Sequence, residues 1–354
     1  MPSRFDGEKL GAWFERFGRV EAQATSPMYE RLCEGISRDR SLLVIASGAR
    51  PGQPMPNLFL ASVQFVLHDH LESPLAEFYP ALSGKPRGKG DPFPAFRSFA
   101  LEHADEVGAA VATRLVQTNV VKRSACLLPA FGLIARRTDD QPLALVEIGT
   151  SAGLNLLWDR FHYRYGNKTV GDADSPVRIA CEPRGPRDVP LPDRMPKVVM
   201  RKGIDPQPID VRDPTALRWL RSLIWPGREE EAEQLLAVAK VLETTEIDLI
   251  AGDALDSLPD VTSDVPEGAS LCVFHSCTAN QWSDEQRQRL SEGVEAIGSR
   301  RDIYHVSLEW LGGESPVLRL SSFESSRRHD QTLATSDPHA DWIEWLDPAV
   351  PPPG

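Results

Sequence analysis

Between residues 143 and 157 an apolar run, Leu143 to Val146, ends in Glu147, passes through Gly149, Ser151 and Gly153, and resumes as a second apolar run around Asn155. The first run reads as a buried strand; the second, with apolar residues at helical spacing, reads as a helix. Strand, tight turn of small residues, helix is the opening unit of a nucleotide-binding α/β sheet. Small residues suit the turn because a ligand has to approach the backbone closely. The start of the helix offers free N–H groups to a polar or anionic ligand.

After this unit, strands and helices alternate. Residues 177–181 and 197–200 read as strands, the second running on to Asp205. Asp213 as N-cap and Pro214 at the first helical position open a helix over 214–225, and 229–242 is an amphipathic helix. Strands over 247–251 and 270–274 end in Gly252-Asp253-Ala254 and His275-Ser276. Ser283 and Gln286 form a capping box for a helix running to about 297, and a strand over 302–308 ends in Glu309. Residues 317–322 and 331–334 suit a closing hairpin. The series predicts an α/β, Rossmann-like, doubly wound and mostly parallel sheet with an antiparallel C-terminal strand, over 141–354. Residues 162–196 are irregular and read as an insertion. Residues 1–140 read as a helical N-terminal cap domain, with helical periodicity over 8–35, 57–71, 96–116 and 120–135 and a Gly/Pro/Lys-rich loop at 83–94.

With 354 residues the chain is long enough for a full core in two domains. A net charge of −12 argues against a nucleic-acid partner, which would need basic clusters. No apolar run approaches the ~18 residues of a membrane helix, and the charged N-terminus lacks a signal-peptide core. Five scattered cysteines, Cys33, Cys126, Cys181, Cys272 and Cys277, fit free thiols in the cytoplasm better than a disulfide framework. Cys272, His275 and Cys277 lie close together on an expected strand; we read them as buried strand residues and expect no metal there. Nothing in the sequence reports an oligomeric state.

Two chemistries compete for the turn. Glu147-Ile-Gly149-Thr-Ser151-Ala-Gly153 resembles the first motif of class I S-adenosylmethionine-dependent methyltransferases, an acid-x-Gly-x-Gly-x-Gly pattern with Ser151 at the middle glycine. The resemblance implies S-adenosylmethionine as cofactor. It also implies that an acid after the second strand binds the ribose and an acid after the third, often within Gly-Asp-Ala, binds the adenine amino group. Asp205 and Asp253 fill these places, so the implied cofactor residues are Glu147, Gly149, Ser151, Gly153, Asn155, Asp205, Asp253 and Ala254. The ribose acid usually follows the glycines by ~20 residues. Asp205 lies far beyond that, so either 162–196 is inserted or Asp159 or Asp172 takes the role.

The same turn is also a literal Gly-x-Ser-x-Gly, the nucleophile elbow of α/β-hydrolases, with Ser151 as nucleophile, Asp253 as acid and His305, His329 or His339 as base. Against it, the residues before 143 read as helices, no His-Gly-Gly-Gly oxyanion segment lies upstream, and Glu147 would be a costly buried carboxylate with no part in the reaction. A non-catalytic cofactor- or nucleotide-binding protein is the third alternative.

The resemblance extends along nearly the whole chain to a bacterial family of unknown function, DUF2332. Its shared phrases here include Ser26-Pro-Met-Tyr29, Glu77-Phe-Tyr79-Pro80, Thr113-Arg114 with Gln117-Thr-Asn119 and Arg123, Glu147 through Arg160, Gly203-Ile-Asp205, Gly252-Asp-Ala-Leu255, His275-Ser276, Ser307-Leu-Glu309, and Trp342 with Trp345. Membership implies a methyltransferase-like fold behind a helical N-terminal part and no defined reaction. The family usually carries an acid after Asn119, where this chain has Val120. On the acceptor side, expected to take a small molecule, Glu309, His275 and Asn119 are the candidate catalytic residues. Arg114 and Arg123 are candidate substrate contacts.

Overall fold

A computed structural model describes residues 6–347 apart from 24, 85–87, 311 and 326, so three residues of the expected 83–94 loop lie outside the described set. The strands are β1 (Leu143–Ile148), β2 (His162–Tyr165), β3 (Lys168–Gly171), β4 (Arg178–Arg184), β5 (Val198–Asp205), β6 (Asp248–Ala251), β7 (Ser270–Ser276), β8 (Ile303–Glu309), β9 (Val317–Glu324), β10 (Arg327–Ser336) and β11 (Trp342–Trp345). The chain forms two compact units, 1–118 with 213–233 and 119–212 with 234–354.

In the sheet unit every residue of β1 is buried, as in a strand covered on both faces. β5 and β7 flank β1 in parallel, β6 continues in parallel beyond β5, and β8 beyond β7. Taken in chain order without β2–β4, the run β6-β5-β1-β7-β8 has the order 3-2-1-4-5 of a doubly wound sheet. Strand order reverses between β1 and β7, the place where such sheets open a ligand crevice. β9, β10 and β11 follow as an antiparallel meander. The fold is thus the expected α/β class.

Residues 162–184 form three strands, of which only the last, β4, is expected from the sequence, over 177–181; 185–196 hold no regular element. β2 pairs antiparallel with β3 and parallel with β4, and β4 pairs with β11, so the inserted strands extend the sheet at its far end. β1 and β5 remain direct neighbours across the insertion. That is why Asp205 stands next to the β1 turn despite its distance in sequence.

Both faces of the sheet are covered. Helices Ala254–Ser263 and Asp284–Gly298 bring Leu258, Val261, Leu290, Val294 and Ile297 onto Val146, Ile148, Leu271, Val273 and Ile303. The second helix starts with the expected capping box: Gln286 N–H donates to Ser283 Oγ at 3.2 Å and Ser283 N–H to Gln286 Oε1 at 3.0 Å. Helix Ser124–Arg137, grouped by its periodicity with the N-terminal helices, belongs to the sheet unit. Its Phe131 stacks on Trp158 at 4.7 Å and meets the edge of Phe274 at 5.3 Å. Leu154–Arg160 is a 3-10 segment rather than an α-helix. Arg201 donates to the Leu156 carbonyl, an acceptor the α-helical ladder would use, and pairs with Asp159 at 2.7 Å.

In the helical unit, helix Met55–Leu67 is buried almost throughout. Helix Pro214–Ser222 packs against it. Arg218 makes two bonds to Asp69, at 2.7 and 2.6 Å, and two to the Phe65 carbonyl, and Trp219 Nε1 donates to the Leu115 carbonyl at 2.8 Å. No helix among the described residues is long and apolar enough to cross a membrane, and the five cysteines are unpaired.

Phe131 is fully buried between two aromatic partners, so Phe131→Ala is expected to lower unfolding free energy by about 3–5 kcal/mol. Urea denaturation with unchanged slope measures this; a loss below about 1 kcal/mol contradicts the packing described.

Candidate functional site

The turn after β1 is built on alternate left-handed residues. Gly149, Ser151 and Gly153 have φ of 67°, 52° and 71°. A Cβ on Gly149 would lie 2.4 Å from Thr278 Cγ2, and one on Gly153 2.7 Å from Ile247 Cδ1. Ser151 holds the backbone shape that favours glycine, and its Oγ is buried without a hydrogen-bond partner. The N–H groups of Gly149 and Thr150 donate to the Ile204 carbonyl at 2.8 and 3.2 Å. Ile209 N–H donates to the Ser151 carbonyl at 2.9 Å, and Asn119 Nδ2 to the Thr150 carbonyl at 2.8 Å.

Three carboxyl groups stand at or just past the C-terminal ends of the adjacent strands β1, β5 and β6. Glu147 is 2% exposed and accepts from Thr150 Oγ1 at 2.7 Å. Burial pushes its pKa up to about 8, against the lowering effect of hydrogen bonds from Thr150 and Asn155, and nearby Asp205 adds to the rise. Asp205 is buried and accepts the N–H groups of Ser151 at 2.9 Å and Gln207 at 2.8 Å. Asp253 is exposed and caps helix Ala254–Ser263, its Oδ1 accepting Leu255 N–H at 2.8 Å; Ala254 beside it is buried. Asn155 is buried with Oδ1 unpartnered. A cavity of about 330 Å³ borders the turn at Ala152, between 208–212 and Leu242, Ile247 and Leu249; none of the three acids lines it.

At the ends of β7 and β8 a second polar group assembles. Glu309, 1% exposed, bonds His275 Nδ1 at 2.5 Å, and His275 Nε2 meets His305 Nε2 at 3.0 Å. Glu309 also accepts the N–H groups of Thr278 (2.9 Å), Ala279 (3.1 Å) and Asn280 (3.0 Å). Burial alone would raise the Glu309 pKa, but the bond to His275, the His275 charge and the loop amides outweigh it and hold the carboxyl below its usual range. Burial, with His275 and Arg328 nearby, pushes His305 down to about 3. Glu309 is therefore a loop anchor with filled acceptor sites. Among the described residues no histidine hydrogen-bonds Ser151, so a Ser–His pair is not assembled.

The remaining expected residues belong to different units. Arg114 ends helix Ala104–Thr113 in the helical unit, its guanidinium 4.7 Å from the Phe65 ring centroid and 5.7 Å from that of Trp219. Asn119 and Arg123 belong to the sheet unit, where Arg123 Nε donates to the Pro338 carbonyl at 3.0 Å. Sequence reasoning did not link His305 to His275 and Glu309, since only the β7–β8 register brings them together. It also missed His70, His103 and Glu106, the one cluster of metal-ligating groups among the described residues. There His103 Nδ1 already bonds Glu106 at 3.0 Å across the first turn of helix Ala104–Thr113.

The family model described as "Uncharacterized protein conserved in bacteria (DUF2332)" matches residues 11–345. No curated protein and no solved structure matches the chain.

Glu147 generates a pH prediction. In the unfolded chain it ionises near 4.5, whereas in the fold it stays neutral up to about pH 8. Folding therefore takes up a proton across that window, and its contribution to stability falls by up to about 1.4 kcal/mol per pH unit as pH rises. Glu147→Gln, which keeps an acceptor for Thr150, should flatten this decline and be more stable than wild type at pH 8. Urea midpoints at pH 5, 6.5 and 8 measure it; parallel pH profiles for the two proteins refute it.

Proposed function

Since the chain belongs to DUF2332, a family of uncharacterized proteins conserved in bacteria, its chemistry has to be read from its own residues, and we propose that it binds S-adenosylmethionine at the β1 turn and transfers the methyl group to a small-molecule acceptor. One observation carries the reading: Glu147, Asp205 and Asp253 stand on three adjacent strand ends around a turn whose alternate residues, Gly149, Ser151 and Gly153, are left-handed.

The residues suit such a cofactor. The exposed Asp253 uses one carboxylate oxygen on Leu255 N–H, which leaves the other to accept from an adenine amino group. Asp205 is held in place by two backbone N–H groups and is the candidate acceptor for ribose hydroxyls. The buried, unpartnered Ser151 Oγ and Asn155 Oδ1 offer further polar contacts at the turn. Glu147 keeps the turn in shape through its bond from Thr150. The cofactor itself supplies an activated methyl group. The protein then needs chiefly to align acceptor and methyl and to exclude water, so few catalytic side chains are required. The His275–Glu309 pair, at the ends of β7 and β8, orders the loop after β7 on the acceptor side.

Calorimetric titration with S-adenosylmethionine and S-adenosylhomocysteine tests the proposal. Wild type should bind with micromolar affinity, and Asp253→Ala should bind roughly 10–100-fold more weakly, the value of one hydrogen bond to a charged acceptor. Absence of binding at millimolar ligand overturns it.

A further inference from the structure

Between helix Asp284–Gly298 and strands β8 and β9 lies a cavity of about 160 Å³ that no residue of the β1 turn lines. Strand alternation brings His305, Ser307, Arg319 and Ser321 to it, with Ser307 opposite Arg319 and His305 opposite Ser321 across the β8–β9 ladder.

The charged groups around this cavity are unevenly partnered. Of its three arginines, Arg287 is committed to the carbonyls of Ala279 and Trp282 and to Asp284. Arg328 pairs with Asp330 at 2.9 Å, and Asp330 also takes the Ser321 hydroxyl. Glu309 is compensated inside the fold by His275 and three backbone N–H groups. The Arg319 guanidinium alone, exposed on β9, makes no hydrogen bond or ion pair among the described residues. Beside it stand the Ser307 hydroxyl and His305, whose Nε2 is fixed by His275 and whose Nδ1 makes no hydrogen bond among the described residues. A guanidinium without a counter-charge next to a hydroxyl is a donor pair matched to an oxyanion.

We propose that this cavity binds a small organic anion through its carboxylate or phosphate group, with Arg319 as counter-charge and Ser307 as hydrogen-bond donor. In that arrangement the buried chain Glu309–His275–His305 fixes the His305 ring at the cavity wall. No residue of the β1 turn contributes to the site, and His275 and Glu309, which order the loop after β7, also line it, so its test reads anion binding and not the cofactor.

The 354-residue protein is titrated calorimetrically with inorganic phosphate and, separately, with malonate at constant ionic strength. At least one should bind saturably, and the two arms distinguish a phosphate from a carboxylate head group. Arg319→Gln, an exposed position on β9, should weaken that binding tenfold or more. Arg289→Gln, on the same helix as Arg287 but paired with Asp256, should leave it unchanged. No saturable binding of either anion, or equal binding by Arg319→Gln and wild type, overturns the proposal, whatever S-adenosylmethionine does.

Discussion

The Asp205 carboxylate, accepting the amides of Ser151 and Gln207, ties the turn after β1 to the end of β5, and the candidate site depends on that tie. A turn with left-handed residues at 149, 151 and 153 is not held by local preference alone, because Ser151 resists that conformation. Its shape has to be imposed from outside, by the Ile204 carbonyl, the Asp205 carboxylate and the Ile209 amide. Each of these belongs to β5 or the residues that follow it. The turn and the second parallel strand therefore form one structural object, although 162–196 separates them in sequence.

How much of this is legible in the sequence follows from the range of the interactions. β1 and its turn are legible because a strand buried on both faces is a continuous apolar run, and left-handed positions demand small residues. Ser151 partly hides the pattern, since only its backbone behaves as a glycine would. The capping box at Ser283 and Gln286 is legible because its partners lie three residues apart. Of the inserted strands only β4, read over 177–181, is legible: β2 and β3 have four residues each, too short for alternation to stand out, and their partners come from one another and from β4. Nor is the Glu309–His275–His305 chain, which requires the β7–β8 register to be known first.

Two buried acids of this fold behave oppositely for one reason. Glu147 and Glu309 are equally shielded from water, so burial acts on both in the same direction. Glu309 meets His275 and the amides of the loop after β7, and stays ionised. Glu147 meets hydroxyl and amide groups with Asp205 close by, and takes up a proton. Partners, not depth, decide the charge. The sheet thus places a neutral acid at the end of β1 and an anionic one at the end of β8.

Residues 213–233 leave the sheet unit, complete the helical unit and return. The backbone consequently passes between the units at three places, and neither unit is a contiguous stretch of chain. During synthesis the first 118 residues emerge with the surface that receives Trp219 and Arg218 still bare, and it stays so for roughly a hundred further residues. By then β1 and β5 have already been made. Biogenesis of this protein cannot proceed one unit after the other, and a gene fragment ending at 118 would encode helices without their closing partner.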